Sequence, residues 1–350
     1  MKNYKYIGLF LLSLGVISCD VNNDLDPILE ETGPVVQLNT NGLDFSSYVS
    51  VGASFTAGFT DNALFIQAQE NSFPNILAGK FSTDFSQPLM NDNIGGLLLG
   101  GNVIQGPRLY FNGAGPTGLM ATPTTEVTTS VAGNLNNFGV PGAKSFHFVA
   151  PGYGSLQALQ LGRANPYFVR MASGANATVL GDAMAQSPTF FTLSEIGGND
   201  VLGYATSGGS GVDQTGNIDP STYGQSDITD PNVFASVFSS MVTTLTSGGA
   251  KGVVANVPYI TNLAHFTTVP FNPVPLDAAT ATQLNSQLLG PVIQILTALG
   301  QPDRISLLEA SSSNKLLLRD ENLTDFSAQI SGALQQAGVS AAQAQLMGSL

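Results

Sequence analysis

Tyr48-Val49-Ser50-Val51-Gly52-Ala53-Ser54-Phe55-Thr56-Ala57-Gly58 decides how the rest of this chain is read. A short run of strand-forming residues breaks at Gly52, and the break delivers Ser54 into a tight turn. Gly52 and Gly58 bracket the serine, so the backbone there folds tightly and leaves room for another group to approach. Further along, Thr189-Phe190-Phe191-Thr192-Leu193-Ser194-Glu195-Ile196 repeats the pattern and ends at Gly197-Gly198-Asn199-Asp200. A third run, Lys251 to Val257, is apolar enough to predict a buried strand ending at Pro258. Ser145 to Val149 and Ile305 to Leu308 are shorter strand candidates.

Helical spacing fills the intervals. Leu64, Ala68, Phe73 and Leu77 predict a helix over Ala63 to Ala78 that Pro74 bends or ends. Gln157 to Leu161 reads as a helix start. Asp230-Pro231 supplies an N-cap and a proline at the first helical position. The stripe Val233, Phe234, Val237, Phe238, Met241 and Leu245 follows and stops at Gly248-Gly249. Asp277 to Leu299 and residues 323–346 are the remaining helical stretches. Residues 84–135 and 205–229, rich in Gly, Asn, Thr, Ser and Asp, read as long insertions. Apolar strands alternating with helices predict an α/β fold with a parallel sheet covered on both faces. Ligands of such sheets sit at the carboxyl ends of the strands, and Ser54 and Asn199 both lie just past predicted strand ends.

Composition narrows the setting. At 350 residues, 43% of them hydrophobic, the chain buries a sizeable core. Only 10% of residues are charged and the formal net charge is −13, so nucleic-acid phosphates repel it and no nucleic acid is expected as a partner. The single cysteine, Cys19, excludes an intramolecular disulfide. Lys2 and Lys5, then the apolar run Ile7 to Ile17, form a secretory signal too short to span a bilayer comfortably. Val16-Ile17-Ser18-Cys19 resembles a bacterial lipobox, which implies residues 1–18 as a cleaved signal and a lipid-modified Cys19. Acyl chains on Cys19 attach a protein to a membrane at about 0.8 kcal/mol per buried methylene. Residues 19–44 then form an acidic tether, and the folded domain covers 45–350. The expected location is extracytoplasmic, anchored at an outer membrane or cell surface.

The chemistry rests on three segments. A hydrolytic serine needs an exposed oxygen, donors for an oxyanion and a base. Ser54 fits the first requirement, although Thr56 stands where a Gly-x-Ser-x-Gly elbow has its last glycine. The same residues also fit a loop serine that caps the next helix. Asn199, after two glycines, places an amide able to donate to an oxyanion, and Gly-Gly-Asn-Asp is equally a turn sequence. Asn137-Phe138-Gly139-Val140-Pro141-Gly142-Ala143 offers a loop in which the Gly139 N–H is free to donate. No Cys/His cluster or calcium-loop spacing implies a metal, and no cofactor is expected.

Ser54, Gly139 and Asn199, in this order and in these local sequences, resemble the SGNH (GDSL-type) hydrolase family, in particular its bacterial lipoprotein members. The resemblance covers about residues 45–260. It implies a flavodoxin-like three-layer α/β/α sandwich and ester hydrolysis through an acyl-Ser54 intermediate. It further implies oxyanion donors at the Ser54 N–H, the Gly139 N–H and the Asn199 side chain, and an ester substrate such as a lipid or an acylated glycan. Two features depart from the family pattern. Ala53 replaces the usual Asp, and the Asp-x-x-His of the family's last block is missing. Neither His147, flanked by Phe146 and Phe148, nor His265 has an Asp three residues before it. The expectation is a domain lacking its last strand, whose Asp and His lie beyond residue 350, with activity lost in consequence. A non-catalytic surface lipoprotein that binds glycan or protein through its insertions is the alternative.

Overall fold

Tyr48–Gly52 forms strand β1, and all five residues are buried. In the computed structural model, which describes residues 39–268, 272–318, 320 and 322–349, three more strands join it: Asn137–Gly139 (β2), Phe190–Ser194 (β3) and Lys251–Val254 (β4). All pairings are parallel and the spatial order is β2-β1-β3-β4. That is the order of the first four strands of flavodoxin-like sheets. The signal segment, Cys19 and the tether as far as residue 38 lie outside the described residues.

The helices that frame the sheet and the site are α1 (Ser54–Ala57), α2 (Phe73–Phe81), α3 (Pro166–Met171), α4 (Val179–Ala185), α5 (Gly198–Thr206) and α6 (Pro231–Thr246). Side-chain alternation along the strands divides the core into two layers. Val49, Val51, Phe191 and Leu193 pack with Val179, Leu180 and Ala183 of α4 and Met241 and Leu245 of α6. On the other face, Tyr48 and Phe190 pack with Leu77, Ala78 and Phe81 of α2. Helices on both faces of a parallel sheet make a three-layer α/β/α fold. The polar residues of the second face satisfy one another: Tyr48 Oη lies 2.9 Å from Thr192 Oγ1, which donates to Ser50 Oγ at 2.8 Å.

Several elements differ from the sequence-based expectation. Ser145–Val149 is a 3-10 helix rather than a strand, and the strand in that region is β2, a few residues earlier. Pro74 starts a helix instead of ending one. The predicted helix is two pieces, Ile66–Glu70 and α2, with Pro74 in the first turn of α2, where its missing N–H costs nothing. Residues 84–135 are not merely surface: Met90, Leu97, Val127 and Leu135 are buried, and two hairpins pair Leu97–Leu99 with Asn102–Gln105 and Leu109–Phe111 with Pro116–Gly118. β4, expected to be buried, is exposed along its length. Among the described residues it is an edge strand with one neighbour. The helices after it pack on one another through Val292, Leu296, Ile330, Leu334 and Met347 instead of covering it. Residues 305–308 form no strand. Asp230 caps α6 as its sequence requires, accepting from Asn232 N at 2.8 Å and Val233 N at 3.0 Å.

Candidate functional site

Adjacent parallel strands end together. The register pairs Gly52 with Gly139 on one side and with Ser194 on the other. Ser54, the 139–143 loop and the 195–199 turn are therefore gathered at one carboxyl edge of the sheet. Ala53 (φ −101°, ψ −122°) turns the chain off β1, and Ser54 is the first residue of α1. Ser54 is partly exposed, and neither its hydroxyl nor its N–H has a partner among the described residues. Phe55 beside it is also exposed.

Two glycines allow α1 to sit this close to the strands. A Cβ on Gly52 would lie 2.1 Å from Thr56 Oγ1 and 2.6 Å from the Ser194 carbonyl oxygen. A Cβ on Gly139 would lie 2.2 Å from Ala57 N. Neither glycine has room for a side chain, so Gly139 acts here through close approach. Its N–H, expected to be free, donates to Asn137 Oδ1 at 2.9 Å.

The loop after β2 offers a different donor. Val140-Pro141-Gly142-Ala143 is closed by Ala143 N donating to Val140 O at 3.1 Å, with Gly142 at φ +78°. Proline second and a positive-φ glycine third are the requirements of a type II turn. Val140 N donates to Gly52 O at 2.8 Å, and Asn199 Nδ2 donates to Ala143 O at 2.9 Å. The turn thus hangs between the serine strand and Asn199. The exposed Gly142 N–H has no acceptor among the described residues. The Pro-Gly pair was the sequence signal for it.

Asn199 lies in the first turn of α5, after Gly197 at φ +106°. Its amide is tied to the turn by one hydrogen, leaving the other available. Asp200, which is buried, accepts from Ser145 N at 2.9 Å and Ser145 Oγ at 2.7 Å, locking the far end of the same loop.

The residue that sequence reasoning passed over is Glu195. It occupies a left-handed conformation, φ +60°, which is unfavourable for a residue with a Cβ. That geometry turns its carboxylate onto the serine turn, where it accepts from Phe55 N at 2.8 Å, Thr56 N at 2.7 Å and Thr56 Oγ1 at 2.7 Å. Ala53, at the helix cap, carries no capping oxygen, and the glutamate that follows β3 does that work. Burial raises the Glu195 carboxyl pKa above its ordinary value, and the hydrogen bonds from Thr56 and Phe55 oppose the rise. Only the strand-end position of Glu195 hinted at this; its partner is more than a hundred residues away.

Neither histidine joins the site. His147 Nδ1 accepts from Lys144 N at 3.0 Å, and the ring stacks on Tyr153 with centroids 4.2 Å apart. Burial, with a smaller contribution from the Lys144 charge, lowers its pKa to about 4. His265 is exposed on a short helix and contacts Phe266 edge-on. Among the described residues no group of His, Cys, Asp and Glu is arranged to hold a metal ion, and no helix is long and apolar enough to cross a membrane.

Comparison with known proteins finds no matching family model, no matching curated protein and no matching solved structure. The functional reading therefore rests on the geometry of the site.

Proposed function

We propose that this chain is an SGNH-type serine hydrolase acting on ester bonds, anchored outside the cytoplasm through a lipid on Cys19. The observation that carries this reading is the gathering of Ser54, the 140–143 turn and Asn199 at the carboxyl edge of three adjacent strands. Ser54 Oγ is the nucleophile. It adds to the ester carbonyl, the alcohol departs with a proton, and water then releases the acid from the acyl-serine. The oxyanion is met by the Ser54 N–H, the second hydrogen of Asn199 Nδ2 and a backbone N–H of the loop after β2. Gly142 suits that last role better than Gly139, whose N–H is already engaged. Phe55 gives the acyl portion of a lipid or acylated glycan an apolar surface. No cofactor is needed for these steps.

Ser54 Oγ has no base against it among the described residues. Turnover therefore rests on donors and binding alone, a contribution of roughly 10³–10⁴ over water in serine hydrolases stripped of their triad. The test is hydrolysis of short p-nitrophenyl esters, and labelling by a fluorophosphonate, for the wild type and Ser54→Ala. Slow turnover and labelling that disappear in Ser54→Ala support the reading, while equal rates in both proteins overturn it. Cys19→Ser should release the protein from membranes, and continued retention would refute the anchor.

The missing base is also what a non-catalytic surface lipoprotein would show. In that case no serine probe labels the chain, and the ordered 205–229 loop is the surface to examine. There Asp227 accepts from Val212 N at 2.9 Å, Gly224 N at 2.7 Å and Gln214 Nε2 at 2.6 Å.

A further inference from the structure

The 84–135 insertion sends its apolar side chains in two directions. Met90, Leu97 and Val127 enter the core, while the hairpin of Leu109–Phe111 and Pro116–Gly118 turns others outward. Tyr110 is 39% exposed and Phe111 70%. Adjacent residues of a strand point to opposite faces. Exposure of both means that neither face of this ribbon is buried against the body of the protein. Met120, just past the hairpin, is 97% exposed. The outer strand of the preceding hairpin, Asn102–Gln105, repeats the pattern with Val103 and Ile104 both exposed.

The charge pattern of this stretch departs from that of the chain. The chain has 24 acidic residues, yet none falls between Asp92 and Glu126, and Arg108 is the only charged side chain in that interval. Arg108 stands at the foot of the exposed hairpin, over the Phe65 ring at 5.1 Å, with Nε donating to Asn93 O at 2.9 Å. Glu126 belongs to the other hairpin's turn, where it accepts from Gly100 N at 2.9 Å and Gly101 N at 3.0 Å. The exposed hairpin satisfies the backbone of its own turn. Asn112 Oδ1 accepts from Ala114 N at 2.9 Å and Gly115 N at 3.0 Å, and Asn112 N donates to Gly115 O at 3.2 Å. Moving this turn into an apolar medium therefore strands neither a charge nor these amides.

We propose that this hairpin, together with Met120, is a membrane-contact surface that dips into the headgroup–acyl boundary of a lipid bilayer. A docking protein covers one face of a ribbon, whereas a bilayer surrounds both, and here both faces carry outward apolar side chains. Phe111 and Met120 supply the immersed apolar area, and Tyr110 has the apolar ring and polar tip of residues found at headgroup level. The absence of carboxylates removes repulsion from anionic headgroups, and Arg108 adds attraction to them. The surface stands on the hairpin and holds whether or not Ser54 is catalytic.

The chain has no tryptophan, so a single introduced one reports its own surroundings. The purified full chain carrying Phe111→Trp or Met120→Trp is mixed with phosphatidylethanolamine–phosphatidylglycerol vesicles, with and without bromine on the acyl chains. Both variants should shift their emission to the blue and be quenched by the brominated lipid. Leu346→Trp, exposed on the helix Ala341–Gly348, should do neither. An anchor elsewhere in the chain brings the protein to the vesicle but does not immerse these two positions, so the readout is specific to the hairpin. Unshifted, unquenched emission from both Phe111→Trp and Met120→Trp at saturating vesicle concentration would overturn the proposal. Equal quenching of Leu346→Trp would do the same. A blue shift that grows with protein concentration in the absence of vesicles would also overturn it, by assigning the hairpin to a second copy of the chain.

Discussion

Replacing Glu195 probes the part of the site that the fold holds hardest. The wild-type carboxylate accepts at 2.8 Å from Phe55 N and at 2.7 Å from both Thr56 N and Thr56 Oγ1. Hydrogen bonds to a charged group contribute about 1.5–3 kcal/mol each in isolation, but the three share one acceptor group and do not add. Loss of a helix cap alone costs about 1 kcal/mol. Glu195→Ala leaves three donors without an acceptor and is expected to destabilise by about 2–4 kcal/mol. Glu195→Gln keeps one oxygen for Thr56 but turns an NH₂ toward another donor, at about 1–2 kcal/mol. The raised pKa adds a pH signature. The native state holds the Glu195 proton more tightly than the unfolded chain does, so the stability from this proton is complete below the ordinary carboxylate range. It is lost as pH rises through the folded value. Glu195→Gln, which has no proton to lose, should show a flatter profile across that window. Urea unfolding followed by circular dichroism at several pH values reads both effects. A shifted serine turn should also slow labelling of Ser54 on the order of 10²-fold. Glu195→Ala with unchanged stability, an unchanged pH profile and unchanged labelling would refute the assignment of Glu195 as the cap of the serine turn.

Gly139→Ala places a methyl 2.2 Å from Ala57 N, which is backbone, and should cost about 3 kcal/mol or prevent folding, read by urea midpoint. Asp200→Asn retains shape but sets an amide NH₂ against Ser145 N or Oγ; a loss of about 2 kcal/mol is expected, with Asn199-dependent labelling falling in parallel as the loop loosens. His147 is neutral when folded. Stability should therefore be full above the ordinary histidine pKa and fall as pH drops from there toward about 4, and His147→Gln should remove that slope without changing the rate of any Ser54 reaction.

The backbone of the site was legible because local sequence dictates it. β1 and β3 are runs of strand formers, Asp230-Pro231 starts α6 with its own cap, and Gly52 marks where β1 must break. What escaped was set by contacts distant in sequence. β2 is three residues long, and its Asn-Phe-Gly carries no strand signal; pairing with Ser50, Val51 and Gly52 makes it a strand. The aromatic run at Ser145–Val149 has strand propensity, yet it forms a 3-10 turn because Asp200 takes the Ser145 N–H and hydroxyl. β4 reads as apolar and buried, but burial is decided by what packs over a strand, and the later helices pack on each other.

The same distinction separates the parts of the candidate site. Ser54 and Asn199 were found because the backbone exposes them at glycine-marked strand ends. Glu195 was not, because it acts through what it does to a distant neighbour. It holds the serine turn from the residue after β3, and Gly142 becomes the loop's candidate donor once the Gly139 N–H is seen to be bonded to Asn137. A site of this kind is preorganised from both sides of β1. Glu195, just after β3, fixes the helix start, and the turn after β2 is tied to Gly52 on one side and Asn199 on the other. Under the proposed hydrolase function, the donors are in place before any substrate arrives, and such donors stabilise a developing oxyanion without reorganisation. Under that proposal, proton removal from Ser54 is the step that the described residues leave to solvent. Raising pH should then accelerate acylation of Ser54 by activated esters, with no plateau near neutrality of the kind a histidine base produces. A plateau centred between pH 6 and 7 would show instead that an imidazole reaches Ser54 in solution.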